Sequence, residues 1–99
     1  MNLREALRWT CRAAEGGNIQ AVTTLAGFFV AGNILPVNLN SAYMLALFAE
    51  RQGNATAQMT RQSLESMLTY RAKRRCISTL KHFSEVKPLV EALIPRDQR

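Results

Sequence analysis

The chain is short of nearly everything from which a catalytic or metal-bound site is built. It has a single histidine, His82, two cysteines and seven acidic residues among 99. A zinc centre draws on Cys, His and carboxylate ligands in close spacing, and the isolated His82 leaves such a site without its usual partners. Cys11 and Cys76 stand far apart with no CxxC pair. They read as two buried thiols of a reducing compartment rather than as one disulfide. The carboxylates are scattered, and no Ser-His-Asp order, HExxH motif or phosphate-cradling glycine loop is present. An enzyme is therefore not expected, and neither metal nor cofactor is implied. Gly16-Gly17 and Gly53 follow helical segments, which makes them helix terminators. Five glycines and three prolines against 47% apolar residues describe a folded, helix-rich chain. No apolar run approaches the ~20 residues of a membrane span. The least polar stretch, 22–37, is interrupted by Gly27, Gly32 and Pro36. The N-terminal MNLREALRWTCRAAEGG alternates charge with apolar residues and lacks the apolar core of a secretion signal, so a cytoplasmic protein is expected.

What the chain does have is a period. Gly17-Asn18 returns as Gly53-Asn54, 36 residues on (53 − 17), and Ala6, Ala13 and Ala21 are followed at the same offset by Ala42, Ala49 and Ala57. A fixed period with small residues in matching places signals stacked helical hairpins. Gly17, Asn18, Ala21, Leu25, Ala26, Phe29, Gly32, Pro36, Asn38, Ala42, Leu45, Ala49, Gly53 and Asn54 together resemble the Sel-one-like repeat, a relative of the tetratricopeptide repeat. Two positions depart from that pattern: Ala26 and Ile34 stand where the family commonly has glycine. The expected fold is a single all-α domain, a short α/α solenoid of about six helices in antiparallel hairpins. It would hold a half repeat over 1–17, a full repeat over about 18–53, and a divergent repeat with a C-terminal cap over 54–99.

Helices are expected over residues 2–15, about 19–31, about 39–52, from Asn54 to 68, 70–83 and about 85–94. Asn18, Asn38, Thr69 and Ser84 are the candidate N-caps. Pro88 is tolerated in the first turn of the last helix, and residues 96–99 are expected to fray. Ala26 and Ala49 read as close-packing contacts, and Trp9 as a residue partly buried against the hairpin that follows.

The resemblance implies a protein-interaction scaffold, often bacterial, that acts as adaptor or assembly factor. In such solenoids the first helix of each hairpin lines a concave surface. Here that surface would present Gln20, Thr23, Gly27 and Val30, then Thr56, Met59, Ser63 and Ser66, a small, polar and flexible set suited to an extended peptide of a partner protein. Charge offers a rival reading. Residues 1–53 carry four Arg and three Glu, and residues 54–99 carry nine Lys or Arg against four acids, so the total of +6 lies mostly in the second half. Helical spacing puts Arg71, Arg74, Arg75, Lys81 and His82 on one face, opposite Ala72, Cys76, Leu80 and Phe83. That face would dock nucleic acid or another polyanion, or be simply solvated; no aromatic interleaves with its basic residues as a single-strand binder would want. Arg61 is out of place on an apolar stripe and must snorkel at an edge, find a carboxylate, or face a partner. A solenoid begun at half a repeat would also expose the side of residues 2–15 bearing Trp9, Cys11 and Ala13. Self-assembly through that edge, as a homodimer, is the third reading, with a fold-back of the C-terminal helices as its competitor.

Overall fold

The computed structural model describes residues 2–99. Among them the chain is all-helical, with no strand: α1 (Leu3–Glu15), α2 (Ile19–Ala31), α3 (Leu39–Arg51), α4 (Ala55–Glu65), α5 (Tyr70–Leu80) and α6 (Val86–Leu93), then a 3-10 turn, Arg96–Gln98. No helix is long and apolar enough to cross a membrane.

The helix starts are capped by side chains, which supply acceptors for otherwise orphaned amides. Asn18 accepts from the Ala21 N–H at 3.0 Å, Asn38 from Ser41 at 3.0 Å, Asn54 from Ala57 at 2.8 Å and Thr69 from Ala72 at 3.1 Å. The period seen in the sequence recurs bond for bond. Gly17 N–H donates to Ala14 O and Asn18 N–H to Ala13 O; at an offset of 36 the Gly53 N–H donates to Glu50 O and the Asn54 N–H to Ala49 O. Each exit runs through a glycine with positive φ, 99° at Gly17 and 93° at Gly53, where a β-carbon would strain the backbone.

α1, α2, α3 and α4 pack in chain order, and α2 also touches α4. The core fills the seams between them with Leu7, Cys11 and Ala14 from α1, Val22, Leu25, Ala26 and Phe29 from α2, and Ala42, Leu45, Ala46 and Ala49 from α3. Ala26 and Ala49 are wholly buried, as their small size anticipated. Leu35 from the α2–α3 loop closes the bottom of this core. The remaining helices leave the stacking order: α5 lies on α3, and α6 returns to α1. Leu89, Val90 and Ile94, all inaccessible to solvent, seal α1 from that side. The C-terminal helix thus folds back onto α1, but the side expected to be an open edge is only partly covered: Cys11 is buried, Ala13 is half-buried and Trp9 stays exposed.

Several local expectations are corrected. α4 stops at Glu65 rather than 68, with Ser66 at its C-cap, and α5 stops at Leu80 rather than 83. Ser84 does not cap α6; Glu85 holds the N-cap position without a side-chain bond. The last residues do not fray, because Arg99 donates from Nη2 to Glu15 Oε2 at 2.8 Å and from Nε to the Ile94 carbonyl at 3.1 Å. Trp9 is 64% exposed: Leu7, Cys11 and Ala14 define the buried stripe of α1, and Trp9 falls outside it.

Candidate functional site

The sequence-predicted surface is partly assembled. α2 and α4 lie side by side and leave a cleft of about 270 Å3 between Gly27, Val30 and Ala31 on one wall and Thr60, Ser63, Leu64 and Met67 on the other. Three of the eight expected residues, Gly27, Val30 and Ser63, line it. Gln20 is exposed outside the cleft, accepting from the Asn54 side-chain amide at 3.1 Å. Thr56, Met59 and Ser66 are exposed but do not line the cleft. Thr23 is buried, its hydroxyl donating to the Ile19 carbonyl at 3.2 Å. That back-bond satisfies the one polar group that had suggested a solvent-facing position. Ala31, Thr60, Leu64 and Met67 were missed as cleft residues; Met67 in particular belongs to the turn after α4, whose end the sequence places too late.

Gly27 shapes this cleft. It sits inside α2 with ordinary helical backbone, where glycine is less favourable than alanine by about 1 kcal/mol. A β-carbon built there would meet nothing within 4 Å, so no close helix contact requires the glycine. Its effect is to leave that wall of the cleft without a side chain.

Behind the cleft, α4 is tied to its neighbours by a polar cluster. Arg61 forms a bidentate pair with Glu50 of α3, Nε to Oε1 and Nη2 to Oε2, both at 2.8 Å, and donates from Nη1 to Glu65 Oε1 at 3.2 Å. Glu65 also accepts from the Tyr43 hydroxyl at 2.9 Å and from Lys73 Nζ of α5 at 3.0 Å. Arg61 thus does not snorkel; it meets two carboxylates. Lys73 and Tyr43 hold the Glu65 carboxyl below the usual carboxylate range, and Arg61 does the same for Glu50. Burial, followed by the bond to Glu65, pushes the Tyr43 hydroxyl up to about 12. This cluster fixes the helix that carries one cleft wall.

Arg71, Arg74, Arg75, Lys81 and His82 are all exposed on or just after α5. Contrary to the sequence expectation, an aromatic does join them: the Arg74 guanidinium carbon lies 5.8 Å from the centroid of the Tyr70 ring. Cys11 and Cys76 are buried and unpaired. Cys76 Sγ–H donates to the Asn40 carbonyl at 3.6 Å, and burial pushes the Cys11 thiol up to about 11. Among the described residues no three His, Cys, Asp or Glu side chains converge as a metal site would require. No family model matches the chain, and neither the curated proteins nor the solved structures contain a match to it.

Proposed function

We propose that this chain is a non-catalytic protein-interaction module of the Sel-one-like repeat kind, whose α2–α4 cleft receives an apolar segment of a partner protein. The observation that supports it is the bare stretch of wall at Gly27. A glycine inside a helix, destabilising by about 1 kcal/mol relative to alanine and with nothing packed against it, is accounted for by an occupant from outside. Val30 and Met67 give that occupant apolar walls, and methionine adapts its shape to what it touches. Thr60 and Ser63 commit their hydroxyls to the Thr56 and Met59 carbonyls, so the cleft offers little competing polarity. Adaptor or assembly work in the cytoplasm is the role this reading assigns.

The test fills the cleft. Gly27→Leu places a side chain in open space, so the protein stays folded while its partner is excluded. Affinity capture from the native host, quantified by mass spectrometry for the unmodified chain and the variant, should show one set of proteins lost. An identical set from both would refute the reading.

A second reading draws on the Tyr70–Arg74 contact, which gives the α5 face an aromatic beside its guanidinium groups. Polyanion binding there would fall steeply with salt, whereas cleft binding would change little. Homodimerisation through α1 has less to recommend it: with α6 in place, Leu3 and Trp9 are the large apolar residues of α1 left exposed.

A further inference from the structure

A different patch lies along α1, away from the α2–α4 cleft. Arg4, Arg8 and Arg12 recur every fourth residue, and all three are exposed. Successive members are about 6 Å apart along the helix axis, a spacing at which like charges repel. Arg4 also stands in the first turn, where the helix dipole disfavours a cation. None of the three joins an ion pair among the described residues. Glu5 and Glu15 border the row, but neither pairs with it at ion-pair distance.

Trp9, the sole tryptophan, sits within the row. It is 64% exposed, and the Arg12 guanidinium carbon lies 5.2 Å from its ring centroid. Two hollows adjoin here and share Arg8 and Arg12 as walls. One, of about 200 Å3, is lined by Trp9 and Glu5 as well. The other, of about 280 Å3, is completed by Glu15, Arg96 and Arg99, which the return of α6 brings to α1. Glu15 is already engaged by Arg99 at 2.8 Å, while Arg96 reaches Glu91 only loosely, at 4.0 Å. The second hollow is therefore an arginine-walled recess beside an aromatic platform.

We propose that this strip binds single-stranded nucleic acid, with a base stacked on Trp9 and the backbone phosphates running along Arg4, Arg8 and Arg12 toward Arg96. Guanidinium groups pair with phosphate through two parallel hydrogen bonds, and an exposed aromatic beside a basic track is the platform that unpaired bases use. A duplex would engage the arginines but has no free base face for the indole. An acidic peptide would engage the charges and leave the indole without a role.

The sole tryptophan makes the test direct. The full chain is titrated at low salt with an oligothymidylate long enough to span α1, and with a polyglutamate of equal charge. The expected result is saturable quenching of Trp9 emission by the oligonucleotide and not by polyglutamate. With about three phosphates engaged, log affinity should fall against log salt with a slope of about −2. Trp9→Ala should weaken binding of a labelled oligonucleotide by at least about fivefold, and Arg8→Glu/Arg12→Glu should abolish it. The Gly27→Leu change in the cleft should leave it untouched, so this proposal and the cleft reading fail separately. No quenching at low salt would overturn the inference. Equal quenching by polyglutamate would make the strip an acidic-protein surface instead. Equal competition by a duplex would reduce it to backbone electrostatics. Binding lost only with Arg71→Glu/Arg74→Glu/Arg75→Glu, with Trp9 emission unchanged, would move the ligand to α5. The quenching and salt slope are measured on the unmodified chain, so they decide even where a variant folds poorly.

Discussion

Replacing Arg61 with leucine tests whether the polar cluster behind the cleft acts as a unit. Arg61 supplies both hydrogen bonds that the Glu50 carboxylate receives from side chains, whereas Glu65 keeps Tyr43 and Lys73 after Arg61 is gone. The cost therefore falls on Glu50, left as a single charge with its side chain 21% exposed. Stranding a fully buried charge costs about 3–5 kcal/mol, and losing an exposed pair about 0–1 kcal/mol. A carboxylate at one-fifth exposure lies between, so Arg61→Leu should lower stability by about 2 kcal/mol, or the melting midpoint by about 8–16 °C for a domain of this size. Adding Glu50→Leu removes the stranded charge, and the double variant should recover more than half of the loss. Acid makes the same point. The Glu50 and Glu65 carboxyls are both held below their ordinary value of 4.5. Both are thus more acidic in the folded chain than in the unfolded one. Their stabilisation is complete above the ordinary carboxylate range and is lost as pH falls through the lowered values. Arg61→Leu frees Glu50 from its partner, so the variant should lose less of its stability on acidification. Urea unfolding followed by circular dichroism, at neutral and acid pH, measures both effects. Purely additive losses for Arg61→Leu and Glu50→Leu, with an unchanged acid dependence, would refute the coupling.

Two glycines should respond in opposite directions. Gly27→Ala should raise stability by about 0.5–1 kcal/mol, because helix propensity improves and nothing stands within 4 Å of the new carbon. Gly32→Ala should lower it by about 1–2 kcal/mol from its φ of 76° alone. It should lose further from the 2.5 Å approach to Val37 Cγ2, an excess that Val37→Ala would remove; thermal melts of the set compare them. Ala26→Leu should cost about 1–3 kcal/mol or more by overpacking a residue with no exposed surface, and an unmoved melting midpoint would contradict the α2 packing. Cys11, fully buried and with its thiol pushed up to about 11, should resist thiol-specific reagents at neutral pH until the chain unfolds, as a timed labelling assay with and without urea would show.

The fold was legible where the signal was local. Asn18, Asn38 and Thr69 cap the helices for which their short polar side chains marked them, and the Gly-Asn pairs reproduce one turn twice. What escaped was decided by partners distant in sequence. Arg61 looked stranded because its bidentate partner Glu50 lies 11 residues away on another helix, although Glu65, four residues on, was a local signal for a partner. Residues 96–99 looked free because Glu15, which orders them, lies 84 residues before Arg99. Trp9 misled for a different reason. Size and hydrophobicity favour burial, but α1 turns Leu7, Cys11 and Ala14 inward, and helical spacing puts Trp9 on the opposite side. Of the candidate cleft, the sequence placed Gly27 and Val30 of α2 and Ser63 of α4, and missed the rest because which side of each helix faces the other depends on how the two pack, a relation between distant residues.

The return of α6 to α1 alters how the molecule comes apart. In an open stack each hairpin touches only its neighbours, and melting can begin at one end and proceed by steps. Here the first and last helices hold each other although 70 residues (16–85) lie between them, a separation whose closure as a flexible loop costs about 4 kcal/mol. Burial of Leu89, Val90 and Ile94, each worth about 1.5–3 kcal/mol, offsets that cost once α6 is docked. Once docked, it clasps the array into a loop with no free end, so α1 cannot peel away without releasing α6 as well, and gradual fraying gives way to a single concerted opening.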